Sequence, residues 1–177
     1  MKKQTRNILR VAIITSIVVL VGVTLWFNLT SDSQAVQVGD DAVDFQLETL
    51  DGGTVQLSEI NEDRGVILNF WGTWCEPCRE EMPDMNTIYN EGHDEYELIA
   101  VNVSEGEQQI NQFLMSLDEE LSFPIALDRN RDVTKAYQIG PLPTTIAIDK
   151  SGVVVEKQEY QLSVDDIYNF VEQSTSE

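Results

Sequence analysis

At 177 residues, 42% of them hydrophobic, the chain has material for one ordinary domain plus a short appendage and is too apolar to be disordered. Its charge is unevenly placed: Lys2, Lys3, Arg6 and Arg10 stand near the start, whereas residues 31–177 set all 31 acids against seven Lys and Arg, a surplus of 24 negative charges with His93 neutral. A surface of that sign repels phosphate, which excludes nucleic acid as a partner.

No charge falls between Arg10 and Asp32, and "VAIITSIVVLVGVTLWFNL" (11–29) is almost wholly apolar. About 20 such residues cross a bilayer as a helix, and Trp26 near the far end suits the interface. A cleaved signal peptide has a shorter apolar region, about 7–15 residues. "SQA" (33–35) does offer a small-x-small cleavage site, but the length favours a retained anchor. The basic head then stays in the cytoplasm and residues 31–177 lie on the outer face of the cell membrane. No cysteine follows the apolar run, so a lipid anchor is excluded. The chain divides into a basic head and transmembrane anchor (1–30), a polar linker (31–40) and a folded domain (41–177).

Within that domain, "DFQLETLDGGTVQLSEI" (44–60) reads as a hairpin of two alternating strands around "DGG". "GVILNFWG" (65–72) is the short apolar run of a buried strand. From Pro77 the pattern turns helical to about Asn90, with Pro77 in the first turn, where its missing N–H costs nothing. "YELIAVNV" (96–103) is a second buried strand, and 105–117 has helical spacing at Ile110, Phe113, Leu114 and Leu117. A strand at 122–128 and a short helix at 131–139 follow. Strands at 144–149 and 152–160, joined by "DKSG", precede a helix at 163–174 with Ser163 as its N-cap. Strands alternating with helices and closing in a hairpin define an α/β fold with a mixed central sheet flanked by helices.

The only two cysteines, Cys75 and Cys78, stand in "NFWGTWCEPCREEMP" (69–83). A zinc site needs four ligands, and the chain adds only His93, in the polar turn "EGHDEY", which reads as a solvated residue. Covalent haem attachment would need His directly after Cys78, where Arg79 stands. A structural clip gains little from closing so short a loop. Redox chemistry therefore leads. Cys75 sits at the strand-to-helix junction, where free N–H groups and the positive end of the helix dipole stabilise a thiolate. Cys75 then attacks a target disulfide and the more buried Cys78 resolves the mixed disulfide. Thiols outside the cytoplasm tend to be oxidised, so a reductant there needs an electron supply.

"NFWGTWCEPC" after a buried strand, with "PLPTT" further on, resembles the thioredoxin superfamily. The apolar anchor, the "GDDAVDFQLETLDGGTVQLSEI" hairpin and the helix–strand insert at 105–128 resemble its ResA/TlpA type, over nearly the whole chain. That resemblance implies a thioredoxin-like fold, reduction of the disulfide in the haem-binding CxxCH of apocytochrome c, and re-reduction by a membrane thiol-electron transporter. It implies no cofactor and no metal, and a monomer is expected. Glu81, one turn beyond Cys78 on the same helix face, matches an active-site glutamate linked to thiol protonation; composition alone would make it one more solvated acid. The buried acid of ordinary thioredoxins falls at Asn69, which cannot titrate, so Glu81 is left as proton acceptor. Pro143 matches the cis-proline that faces the dithiol, with Leu142 offering backbone groups to a substrate strand. Trp74, Glu76, Pro77, Leu142 and Pro143 are the expected substrate contacts, and Trp71 a packing residue.

Direction is read from charge. Strong oxidants of this fold owe their power to a stabilised thiolate. Here Glu76, Glu80, Glu81 and the acidic domain oppose the helix dipole, which predicts a weakly stabilised thiolate and a reductase. The rivals are reduction of another exported protein, as in spore-envelope formation, net disulfide oxidation or isomerisation, and a non-catalytic copper chaperone. The last has no methionine or histidine cluster to support it. A peroxidase of related fold would be expected to carry a lone peroxidatic cysteine. The acid surplus itself reads as a solvated surface rather than a steering device.

Overall fold

The computed structural model describes residues 3–30, 36–92 and 94–176, and within 3–30 it describes the side chains of 10–24 and Trp26 alone. The cleavage site at 33–35, Lys2, His93 and the first half of the linker lie outside the described residues. Two compact units are present, Met1–Gln34 and Ala35–Glu177.

The first unit is one helix, α1 (Lys3–Thr30). Its described side chains are exposed all round, and Thr15 and Thr24 donate their hydroxyls to carbonyls one turn back, at 2.9–3.0 Å. Among the described residues no helix is long and apolar enough to cross a membrane, so the expected span is not shown by them.

In the second unit a two-stranded ribbon, β1 (Gln46–Glu48) and β2 (Thr54–Gln56), leads into a short helix, α2 (Leu57–Ile60). Gly52 turns the ribbon with φ +88°, a conformation that costs glycine nothing. Then come β3 (Gly65–Trp71), α3 (Glu76–Gly92), β4 (Tyr96–Val103), α4 (Glu107–Leu114), β5 (Ile125–Asp128), α5 (Asp132–Ala136), β6 (Thr144–Ile148), β7 (Val154–Glu159) and α6 (Val164–Thr175). Strand order is β5-β4-β3-β6-β7. β3 runs parallel to β4, and β4 to β5, while β6 is antiparallel to both β3 and β7. The sheet is mixed, as the strand pattern implied.

β3 is buried along its whole length because both sheet faces are covered. Val66, Leu68 and Phe70 join one apolar layer with Ile99, Ile146 and Tyr137. Ile67 and Trp71 point into the other, with Cys78 and Met82 of α3 and Phe170 of α6. The period-2 alternation of a strand therefore aims Asn69, a lone polar residue among these, at the α3 and α6 side.

Three elements, α4, β5 and α5, are shorter than their periodicity suggests; α5 is confined to Asp132–Ala136 between Arg131 and Gln138, both at positive φ. α4 starts at Glu107 because Glu105 is held back by Asn102 and Thr73, with Gly106 as N-cap. At its other end Ser116 and Leu117 donate to carbonyls three residues back, which tightens the last turn. β5 starts only at Ile125, after Pro124, which has no N–H to give a ladder. α6 is capped as expected: Ser163 Oγ accepts from Asp166 N–H at 3.3 Å, and Asp166 accepts from Ser163 N–H at 2.9 Å.

Candidate active site

The site lies where β3 ends and α3 begins. Cys75 and Cys78 are joined in a disulfide. Cys75 stands just before α3: its carbonyl accepts from Arg79 N–H at 3.2 Å and its N–H donates to Gly72 O at 3.1 Å. One of the helix's unpaired N–H groups, that of Cys78, points at Cys75 Sγ at 3.3 Å. Such a donor supports negative charge on this sulfur once the bond is broken. Both cysteines are buried, Cys78 completely and Cys75 with 4% exposure, so Cys75 is the more accessible of the two.

The turn before Cys75 is fixed from two sides. Trp74, 71% exposed, lies across Gly72, where an added Cβ would come within 2.9 Å of its Nε1. Thr73 is held by Glu105, whose carboxylate accepts from Thr73 N–H at 2.7 Å, Thr73 Oγ1 at 2.6 Å and Asn102 Nδ2 at 2.9 Å. Ser104, at φ +62°, turns the chain so that Glu105 faces back over the end of β4. Glu76 and Pro77 are exposed in the first turn of α3. Arg79 folds away, its guanidinium 4.5 Å above the Phe113 ring and hydrogen-bonded to Ser116 Oγ at 2.8 Å.

Pairing of Phe70 with Thr144 brings the 141–143 segment to the same sheet end as the 72–75 turn. The Leu142–Pro143 peptide is cis, and Leu142 packs against both apolar layers. Pro143 O accepts from Tyr160 N–H at 2.8 Å. Tyr160 is 65% exposed and sits at φ +72°, a costly conformation for an aromatic residue, directly beside that proline.

Beneath the dithiol, Glu81 is buried in α3. Oε1 accepts from Asn69 Nδ2 at 2.8 Å and Oε2 from Leu162 N–H at 2.9 Å. Burial pushes its carboxyl up to about 7, against the lowering pull of those two donors. Asn69 Nδ2 also donates to Thr145 Oγ1 at 3.0 Å. Asn69 Oδ1 and Trp71 Nε1 are buried with no hydrogen-bond partner. A carboxyl that titrates near neutrality can take up and return a proton within the working pH range.

The fold thus gathers Trp74, Cys75, Glu76, Pro77, Cys78 and Glu81 on one turn and helix start, with Leu142 and Pro143 at the adjoining strand end. Glu105, Thr145 and Tyr160 escape the sequence reading. Glu105 is one of 31 acids and follows a strand like any loop residue. Thr145 closes the "PLPTT" stretch, but nothing there marks it as a partner of Asn69, and a positive φ at Tyr160 leaves no mark in "QEYQLS". Among the described residues no cluster of His, Cys, Asp and Glu could hold a metal ion.

A disulfide closed at a helix start, behind a buried strand, with a cis-proline just before the neighbouring strand at the same sheet end, defines a thioredoxin-like dithiol–disulfide site. Comparison with known proteins narrows this. Residues 38–157 match the AhpC/TSA family model. The thiol-disulfide oxidoreductase ResA of Geobacillus kaustophilus (strain HTA426) is 41% identical over 176 residues, 97% of this chain and 98% of the relative. The ResA of Bacillus subtilis (strain 168) is 38% identical over 157 residues, 88% and 86% of the two chains. The thioredoxin domain of a thiol-disulfide oxidoreductase from Bacteroides vulgatus superposes with a TM-score of 0.68 at 25% identity, over 80% of this chain and all of that one. The chain belongs to the thioredoxin-like AhpC/TSA family and, within it, to the thiol-disulfide oxidoreductases of the ResA type, with Cys75 and Cys78 as its CxxC pair.

Proposed function

We propose that the chain is a membrane-anchored reductase of extracytoplasmic disulfides, and that its target is the haem-binding CxxCH disulfide of apocytochrome c during cytochrome c maturation. The observation that carries this reading is the order of the three groups at the start of α3: the more accessible cysteine just before it (Cys75), a fully buried one in its first turn (Cys78) and a buried carboxyl one turn further on (Glu81).

In the reduced enzyme the Cys75 thiolate attacks one sulfur of the target disulfide. The S–S bond breaks, a Cys75–target disulfide forms, and the other target sulfur leaves as a thiolate that takes a proton from solvent. Cys78 then gives its proton to Glu81 and attacks the Cys75 sulfur. The Cys75–Cys78 bond closes, the second target thiolate departs, and two electrons have passed to the target. A membrane thiol-electron transporter restores the dithiol.

Exposed Trp74, with Glu76 and Pro77, forms the surface that meets the target beside Cys75. Leu142 and Pro143 form the opposite side, Leu142 pairing its backbone with an extended target segment. Glu76 and Glu80, both exposed near Cys75, oppose thiolate formation and poise the couple towards reduction. The uncharged stretch from 11 to 29 supports a retained anchor over residues 1–30, with the basic head cytoplasmic and the domain from 41 onward on the outer face. We take the protein to act as a monomer.

Replacing Cys78 with Ala removes the resolving thiol and traps targets as mixed disulfides with Cys75. Apocytochromes are the expected catch from cells. Recovery of a different exported protein in their place would redirect the assignment.

A further inference from the structure

Every hydrogen bond that Glu81 receives comes from a donor: Asn69 Nδ2 on Oε1 and Leu162 N–H on Oε2. That arrangement suits a carboxylate. A protonated Glu81 has an O–H to place, and leaving an O–H unplaced in a buried site is costly. The same pocket holds a buried acceptor with nothing to accept, Asn69 Oδ1, on the carboxamide that already touches Glu81. Its second partner, Thr145 Oγ1, is a hydroxyl, which can accept or donate.

We propose that Asn69 and Thr145 are positioning residues that serve both protonation states of Glu81, the Asn69 carboxamide turning over when the proton arrives. With Glu81 ionised, Nδ2 donates to Glu81 Oε1 and to Thr145 Oγ1, as the structure shows. With Glu81 protonated, Oδ1 takes that place, accepts the Glu81 O–H, and accepts the Thr145 hydroxyl, which switches from acceptor to donor. Leu162 N–H stays on Oε2 throughout. Each state has the same number of hydrogen bonds and leaves one end of the carboxamide without a partner. The exchange therefore sacrifices no bond, and the proton is neither trapped nor refused.

The surroundings leave this task to the cradle. Along α3, Cys78 is the titratable group one turn before Glu81. β3 and β6 contribute the uncharged Asn69 and Thr145, and β7 the uncharged Gln158, opposite Thr145. At the start of α6, Asp165 is exposed and Asp166 is engaged by Ser163. Glu80 is exposed, and Arg79 is turned to Phe113 and Ser116. Burial raises the Glu81 carboxyl towards neutrality, where both forms are populated.

The inference rests on the reading in which Glu81 exchanges a proton with the dithiol, and the test separates the two. In the full-length oxidised protein in detergent micelles, NMR contacts between the Asn69 side-chain N–H protons and Thr145 report the carboxamide's orientation. These contacts should be present at pH 9 and lost at pH 5, with a midpoint matching the Glu81 carboxyl titration. They should be absent at both pH values in Glu81→Gln, whose amide N–H mimics the protonated acid. In Asn69→Leu, loss of a partner that serves both states should move the Glu81 midpoint by less than about 0.5 units. Contacts that persist at both pH values and in Glu81→Gln overturn the cradle, as does a rise of a full unit or more in Asn69→Leu, which marks Asn69 as a donor alone. The reductase pH profile of Glu81→Gln tests the Glu81 reading by itself: an unchanged profile removes the proton role of Glu81, whatever the carboxamide does.

Discussion

Glu81 sits where water is excluded and only two N–H groups replace it, and the sign of its effect on stability follows. An ordinary carboxyl at 4.5 is raised to about 7 in the fold. Below pH 4.5 the group is protonated whether the chain is folded or not, and it costs nothing. Between 4.5 and 7 the unfolded chain releases the proton while the folded one keeps it, so stability falls as pH rises; above 7 the loss is complete. The 2.5-unit gap corresponds to about 3 kcal/mol. Oxidised wild-type protein should therefore lose about 3 kcal/mol relative to Glu81→Gln between pH 4 and pH 8 in denaturant titrations, the exposed acids cancelling in the difference. Parallel curves for the two proteins would show a Glu81 with an ordinary carboxyl. Glu105 acts on geometry instead. Glu105→Ala frees the Thr73 turn and should lower kcat/KM for disulfide reduction about tenfold, with a stability loss of about 1–2 kcal/mol from the missing charge-assisted bonds. A stability loss with kcat/KM unchanged would make Glu105 a fold contact only.

Among the elements, β3 and α3 act as one unit: a strand buried on both faces delivers its chain end to a fixed place in the sheet, and the helix that follows begins directly after Cys75. The apolar run in "GVILNFW" and the break at "GTWCEP" made both legible from sequence, because burial and helix starts leave strong local patterns. The same holds for α6, where Ser163 and Asp166 spell out their capping box. Ser163→Ala should cost about 1 kcal/mol and flatten the first turn's protection in hydrogen exchange; full retention of that protection would mean the cap is held by packing alone. Shortened α4 and β5 were less legible, since their ends are set by Glu105 reaching across to Thr73 and by Pro124, and only the second is a local signal. The site's supporting contacts follow the same rule. Cys75, Cys78 and Glu81 lie within seven residues of one another, but Asn69, Thr145 and Leu162 meet Glu81 only once β3, β6 and the approach to α6 are assembled.

At the scale of the whole molecule, two charge patterns set the context in which the site works. The basic start and uncharged stretch of residues 1–30 underlie the proposed anchor, and alkaline carbonate washing of membranes should leave the full chain in the pellet; release into the supernatant would make it a soluble protein. The acid surplus of the domain lies mostly on exposed side chains and keeps the surface solvated. In the proposed reading it has a sharper consequence, with exposed Glu76 and Glu80 set against the helix dipole and the Cys78 N–H that favour a thiolate on Cys75. That opposition is the physical basis for the proposed reductase direction. The equilibrium potential of the Cys75–Cys78 couple tests it most directly. The account predicts a value near or below the roughly −270 mV of reducing thioredoxin-fold couples, and a value towards the roughly −120 mV of the strongly oxidising ones would contradict it.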